Sequence, residues 1–261
     1  MSVDEVIERS LWDLFWLPPW AEVIDRPELL YTRSERDLMV LNHIYRVRAS
    51  ANRVPALVHE VSEATAKVRS RWMVAPGSQS EALDAALDGS GWRIEAMHHA
   101  YAVQPETCTI HIRDGVEVRR VEDAPTLLDC IGVTERAFGG PRQPVPEDRV
   151  RDELSQCAAP SSRVHRFVAY DAASGEPLSS GGLSVYPGLG LGMLWGGGTV
   201  PEGRGRGAYG AVLSARLQAA SRLGLGLVGV YARTHTSAPI VAHHGFERHG
   251  PMVTWVRESA A

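Results

Sequence analysis

The sequence predicts an α/β protein built on a central mixed sheet, and three observations carry that prediction. Segments of alternating apolar residues interleave with segments of helical spacing along the 261 residues. Glycine- and proline-rich breaks separate them at short intervals. A long helix, Gly207 to Leu223, stands between a glycine-rich turn and a nearly all-apolar strand, Leu225 to Ala232.

The length exceeds the roughly 100–200 residues of a usual single domain. A polar, proline-containing stretch without period, Gln104 to Gly115, marks the break, which predicts domains over 1–111 and 112–261. The net charge of −4, with both signs interspersed, argues against a nucleic-acid surface or a polybasic membrane patch. Cys108, Cys130 and Cys157 are odd in number and widely spaced, which favours neither a disulfide framework nor a structural metal site. The first residues are acidic and no apolar run approaches a membrane span, so the expectation is a soluble cytoplasmic protein.

In the first region, Val3 to Leu14 reads as a helix, and Leu11, Trp12, Phe15, Trp16 and Trp20 bring an aromatic cluster that ends at Pro18-Pro19 and reads as packing, with a substrate-binding aromatic wall as the alternative. A strand is expected around Glu28 to Arg33 and an apolar segment over Leu38 to Tyr45. Val54 to Arg69 has Leu57, Val58, Val61, Ala64 and Val68 at helical spacing. Arg71 to Val74 reads as a strand, and Ser80 to Leu87 as a short helix with a serine cap. Gly91-Trp92 stops that helix before a strand, Ala96 to Val103.

The second region opens with a strand, Val116 to Val121. Helices Ala124 to Phe138 and Pro146 to Cys157 follow, parted by Gly139-Gly140-Pro141. Arg163 to Tyr170 and Leu178 to Tyr186 read as antiparallel strands, and Met193 to Val200 as a third. After the long helix and the apolar strand come a short helix, Ser237 to His244, the stop Gly245, and two strands over Phe246 to Val256.

The segment from Thr199 and Val200 through Pro201-Glu202-Gly203 to Arg204-Gly205-Arg206-Gly207-Ala208-Tyr209-Gly210 carries the chemistry. A helix N-terminus offers free N–H groups to a diphosphate, and glycines let backbone approach it closely. Arg204 and Arg206 add charge-assisted donors. Gly205, Gly207 and Gly210 also satisfy the dinucleotide fingerprint, which normally sits in a first βα turn. Here only about fifty residues follow, too few for the remaining βαβ units. The next strand ends in Arg233, with no acid for a ribose, and two arginines widen the turn. Coenzyme A is the better match.

Arg204-Gly205-Arg206-Gly207-Ala208 resembles the R/Q-x-x-G-x-G/A acyl-CoA motif of the GNAT N-acetyltransferase superfamily. The element order, the Val200-Pro201-Glu202 lead-in, and the helix Thr236 to Ile240 running to Gly245-Phe246-Glu247 extend the resemblance from about Val116 to Glu258. It implies a mostly antiparallel GNAT sheet flanked by helices, acetyl-CoA or another acyl-CoA as co-substrate, and no metal. It further implies that Thr199, Val200, Arg204, Gly205, Arg206, Gly207, Ala208 and Tyr209 bind the cofactor. Tyr209 replaces a usually small residue, so its ring points away from the phosphates or covers them. Val241 stands where a tyrosine often serves as general acid, and Thr234 where an asparagine often opens the segment.

For that acid the helix offers Ser237, His243 and His244, with Ser237 and His243 as the predicted catalytic residues; capping is the other role open to Ser237. For the base, Glu135, His165 or an ordered water remain open, while Glu117 and Glu122 read as surface charges. The run Gly196-Gly197-Gly198 reads either as backbone exposed to a thioester or as a bulge. The first region repeats a helix-glycine-aromatic-strand unit, Ser80 to Trp92, that echoes Ser237 to Phe246, but it lacks the arginine-glycine turn. It is expected to be a degenerate GNAT-like half that packs on the second. The function expected is transfer of acetyl to a primary amine on a small molecule or peptide, by a monomer or homodimer. A different acyl-CoA reaction, or a CoA-binding sensor without turnover, is the alternative.

Overall fold

The structure is a computed structural model and describes residues 1–18, 20–35, 41–140, 144–159 and 161–259. It forms two compact units. The first comprises Met1–Tyr101, Tyr231–Val241 and Arg248–Ala261; the second comprises Ala102–Val230 and Ala242–Glu247. This division differs from a single cut between residues 111 and 112, because two later segments group with the first unit.

In the first unit, α1 (Val3–Ser10) begins at the Ser2 cap and stops earlier than the sequence predicts. The Ser10 hydroxyl donates to the Ile7 carbonyl at 2.6 Å, a local bond that competes with helix continuation. A hairpin follows, β1 (Glu22–Arg26) and β2 (Leu29–Arg33), in antiparallel register from Glu22↔Arg33 to Arg26↔Leu29. The sequence reading misses β1, an edge strand too exposed to show apolar alternation. β3 (His43–Val47) comes next. The front of the predicted Leu38 to Tyr45 segment, like Pro19 and Pro141, lies outside the described residues.

Helix α2 (Val54–Ala64) carries Pro55 in its first turn and buries Val54, Leu57, Val58 and Val61. It ends five residues short of the predicted Arg69, where the Thr65 hydroxyl donates back to the Val61 carbonyl at 2.9 Å. β4 (Ser70–Val74), α3 (Glu81–Gly89) and β5 (Arg93–Val103) complete this stretch, and the Ser80 hydroxyl caps α3 by accepting from the Leu83 N–H. The core centres on Trp72 and Trp92, both buried, with ring planes at 84° and centroids 5.4 Å apart. The Trp92 indole donates to the Ser62 hydroxyl.

The final strand, β11 (Glu247–Arg257), is one continuous strand where the sequence predicts two over Phe246 to Val256. It lies between β4 and β5, so the sheet order of this unit is β1-β2-β3-β4-β11-β5. Its pairing with β4 is antiparallel, from Val253↔Val74 to Arg257↔Ser70. The Gly250 N–H is satisfied by the Asp4 carboxylate at 2.7 Å, so that backbone donor is not left unpaired.

The second unit runs β6 (Val116–Arg120), α4 (Ala124–Phe138), α5 (Glu147–Ala158), β7 (Val164–Asp171), β8 (Pro177–Tyr186), β9 (Leu191–Thr199), α6 (Ala208–Arg222) and β10 (Leu227–Arg233), with α7 (Ala238–His243) after it. α4 has the bounds its sequence predicts, because both ends are encoded locally. The Asp123 carboxylate accepts from the Thr126 N–H, and Gly139 takes the left-handed conformation that ends the helix. The sheet order is β10-β9-β8-β7-β6, with every neighbour antiparallel except β9 and β10. The mixed, mostly antiparallel α/β architecture is the one the sequence predicts.

Candidate functional site

The site is built on β9. Its parallel pairing with β10 covers Leu191–Leu194 against Leu227–Val230, and five more residues of β9, Trp195 to Thr199, lie beyond the last pair. On its other edge the register against β8 shifts between Ser180↔Gly198 and Gly182↔Trp195, so β9 carries one extra residue there. The glycine run is therefore a bulge, and Gly196 at φ +58° takes the left-handed conformation that an L side chain disfavours. Gly196 is exposed and Gly197 half-buried.

After β9 the chain tightens. Val200 is fully buried, and its N–H donates to the Leu178 carbonyl at 3.0 Å. Pro201–Gly203 forms one 3-10 turn. Gly207, at φ +85°, is the residue that opens α6, and it has no side chain to cap the helix. Among the described residues, the first-turn N–H groups of this 15-residue helix thus have no capping side chain at its positive end. That arrangement fits a diphosphate.

The charges around the turn differ in availability. Arg204 is exposed, and no ion pair holds its guanidinium among the described residues. Arg206 is ion-paired with Asp171 at the end of β7. The same carboxylate accepts from the Ala173 and Ser174 N–H groups at 2.9 Å each, so it is a fixed anchor for the turn. A third cation was not foreseen: Arg113 Nη1 donates to the Gly205 carbonyl at 2.9 Å, and its aliphatic stem lies across Gly207. Thr199 and Val200 offer the site only backbone. The Thr199 hydroxyl shares a hydrogen bond with Ser179 at 3.0 Å, and Val200 and Ala208 are buried.

Tyr209 points away from the turn and under the bulge. A Cβ placed on Gly197 would lie 3.1 Å from its Cε2 and 3.5 Å from its hydroxyl. Beside it lies Arg216, 1% exposed, whose Nε and Nη1 donate to the Val212 and Gly182 carbonyls at 3.3 Å. Its Nη2 has no hydrogen-bond partner among the described residues and lies 3.5 Å from the same Cβ position on Gly197. Burial lowers the pKa of this guanidinium, and the Tyr209 hydroxyl opposes that shift. An arginine remains charged in either case. The opposite face of β8 is also glycine-shaped: the Trp195 ring occupies the place where a Gly182 side chain would stand, and its indole donates to Ser184 at 2.9 Å.

The other predicted residues sit as follows. In the first unit, the Ser237 hydroxyl accepts from the Arg233 N–H at 2.9 Å, joining β10 to α7, and Val241 is fully buried. The Thr234 hydroxyl donates to the Met97 carbonyl. In the second unit, His243 is exposed, and its ring meets that of half-buried His244 edge-on at 5.4 Å. Burial lowers the His244 pKa, with His243 adding to the effect. Glu135 lies half-buried on α4. His165 is buried in β7, with β8 between it and β9, and burial lowers its pKa. A shallow cavity of about 390 Å³ between residues Pro105–Ile110 and the second half of α6 shares no residue with the glycine turn.

No family model matches this chain, and no curated protein matches it. Solved structures do. A GCN5-related N-acetyltransferase from Kribbella flavida superposes with a TM-score of 0.71 at 17% identity, over 100% of this chain and 97% of that one. One from Sphaerobacter thermophilus has a TM-score of 0.64 at 18% identity, over 91% of this chain and 76% of that one. A tandem GNAT protein from the clavulanic acid biosynthesis pathway has a TM-score of 0.62 at 13% identity, over 98% of this chain and 88% of that one. Together with the bulged β9, the glycine turn and the helix behind it, these likenesses show that the chain has the two-domain fold of the GCN5-related N-acetyltransferases.

Proposed function

We propose that this protein is an acyl-CoA-dependent N-acyltransferase that moves an acetyl group from acetyl-CoA to a primary amine by direct attack. The observation that carries the reading is the uncapped start of α6 with Arg113 and Arg204 beside it, set at the end of a β9 whose bulge leaves glycine backbone open. Amide N–H groups and guanidinium donors suit the diphosphate of the co-substrate. Exposed backbone at Gly196 and Gly197 suits an acyl carbonyl, since fixed amide donors stabilise the oxyanion of acyl transfer. The acceptor is a small-molecule or peptide amine, and the first unit is a GNAT-like half without a phosphate turn.

One observation favours a second reading. Val241 is buried where the resemblance implies a proton donor, which supports a CoA-binding sensor without turnover. Calorimetric titration with acetyl-CoA, followed by a thiol-release assay across a panel of amines, separates the two. Binding with amine-dependent thiol release supports the transferase. Binding without release from any amine supports the sensor, and no binding at millimolar ligand removes both.

A further inference from the structure

A departing thiolate is a nucleophile that can re-attack the acyl carbon, and a proton donor close to the sulfur assists C–S cleavage by turning it into the thiol. Of the three side chains foreseen for this role, Ser237 accepts from the Arg233 N–H, His243 is exposed and His244 is half-buried, while Val241, where the resemblance implies the donor, has no proton to give. α6 supplies a different arrangement. The five residues of β9 past its last pair with β10, Trp195 to Thr199, span at most about 17 Å at roughly 3.4 Å per residue and include the bulge, so the unpaired edge runs from the bulge to the glycine turn. An extended arm carrying amides could follow such an edge, which would bring its sulfur end to the bulge.

We propose that Tyr209 is the general acid of this enzyme and that Arg216 is its positioning residue; this rests on the acyltransferase reading above. Three independent features converge on it. The Tyr209 hydroxyl lies 3.5 Å from the empty side-chain position of Gly197, close against the backbone of the bulge. Tyr209 is half-buried, which shields the phenol yet leaves it reachable. Arg216 is a fully buried cation whose Nη2, without a hydrogen-bond partner among the described residues, faces the same position, and no acidic side chain among them is bonded to it. A buried guanidinium without a carboxylate is expensive to keep, and one aimed at a point where negative charge develops has a use.

The step balances as follows. The neutral amine nitrogen adds its lone pair to the thioester carbonyl carbon, forming the C–N bond. As the carbonyl re-forms, the C–S bond breaks and its electron pair stays on sulfur. The Tyr209 phenol gives its proton to that sulfur, and the surplus proton on nitrogen passes to water. Water then returns a proton to the phenolate, which Arg216 stabilises in the interval. The products are the amide and free CoA thiol.

The test is Tyr209→Phe, which keeps the ring under the bulge and removes only the hydroxyl. Turnover should fall about a hundredfold or more, the usual scale of acid–base assistance, while the calorimetric Kd for CoA stays within about twofold. The alkaline limb of the wild-type kcat profile should vanish in the variant, which a merely structural role would not produce. Arg216→Lys, which keeps the charge but shortens its reach, should shift that limb to higher pH, with wild-type Tm checked alongside. Unchanged kcat and an unchanged pH profile in Tyr209→Phe would overturn the assignment and leave the transferase intact. A wild-type protein that releases no thiol with any amine would overturn both.

Discussion

Arg113 and Gly205 are joined by a 2.9 Å hydrogen bond from a guanidinium to a main-chain carbonyl, and this bond ties the segment before β6 to the middle of the glycine turn. The exposed remainder of the guanidinium is free to meet an anion there, and the stem of the same side chain closes over Gly207. Arg113→Ala should weaken CoA binding about tenfold, the equivalent of one charge-assisted contact of about 1.4 kcal/mol, as read by calorimetry. Arg113→Lys should not restore it, since an ammonium cannot bridge the carbonyl and a phosphate in one plane.

Arg206 should matter less to CoA than its place in the motif implies. Its charge is already matched by Asp171, whereas that of Arg204 is not. Arg204→Ala should therefore cost more CoA affinity than Arg206→Ala, and equal losses would refute the ranking. In a double-mutant cycle, Asp171→Asn and Arg206→Ala should couple, because each removes the partner of the other.

Gly205 and Gly207 both hold positive φ, at +74° and +85°, yet their surroundings differ. A Cβ on Gly205 meets nothing within 4 Å, while one on Gly207 meets the Arg113 stem at 3.1–3.2 Å. Gly205→Ala should lower stability by about 1–2 kcal/mol, the cost of the left-handed conformation alone. Gly207→Ala should add displacement of Arg113 and so reduce CoA affinity as well. Denaturant melts with and without ligand distinguish the two.

Gly182→Ala tests the packing of Trp195. The new methyl would fall 2.2–2.3 Å from ring carbons of Trp195, so the indole must leave its seat and its bond to Ser184. Overpacking of this kind costs about 1–3 kcal/mol, and a fall in Tm of several degrees is the expected readout. An unchanged Tm would mean that the ring relocates freely.

Alkaline pH offers a fifth check. Burial pushes the Cys130 thiol from 9.0 up to about 11. The folded state therefore holds a proton that the unfolded chain gives up, so the stability it contributes is intact below pH 9 and is lost as pH rises toward 11. The loss should be on the order of 2 kcal/mol and should be absent in Cys130→Ala. Urea melts across that range measure it.

How much of this could be read from sequence depends on how local the determinants are. α4 was legible to the residue because Asp123 and Gly139 encode its ends. The glycine turn was legible because backbone freedom and charge are written in consecutive residues, Arg204 to Ala208. Arg113 was not, since it is distant in sequence and acts through a carbonyl. The neutralised state of Arg206 was equally hidden, as Asp171 looks like any other residue ending a strand. Arg216 did leave a trace: it falls on the apolar face with Tyr209, Leu213 and Ala220, where a charge is out of place, and Gly181 provides the space opposite. The edge strand β1 and the continuity of β11 depend on partners elsewhere in the sheet, which local patterns do not report.

The position of β11 between β4 and β5 bears on how the protein is made. Synthesis is vectorial, and both flanking strands leave the ribosome long before residues 247–257 are translated. Until then, β4 and β5 present unpaired edges toward the gap, a state prone to pairing with a neighbouring nascent chain. The first unit, begun first, is thus finished last, and its yield in a cell should depend on chaperones that hold that gap open.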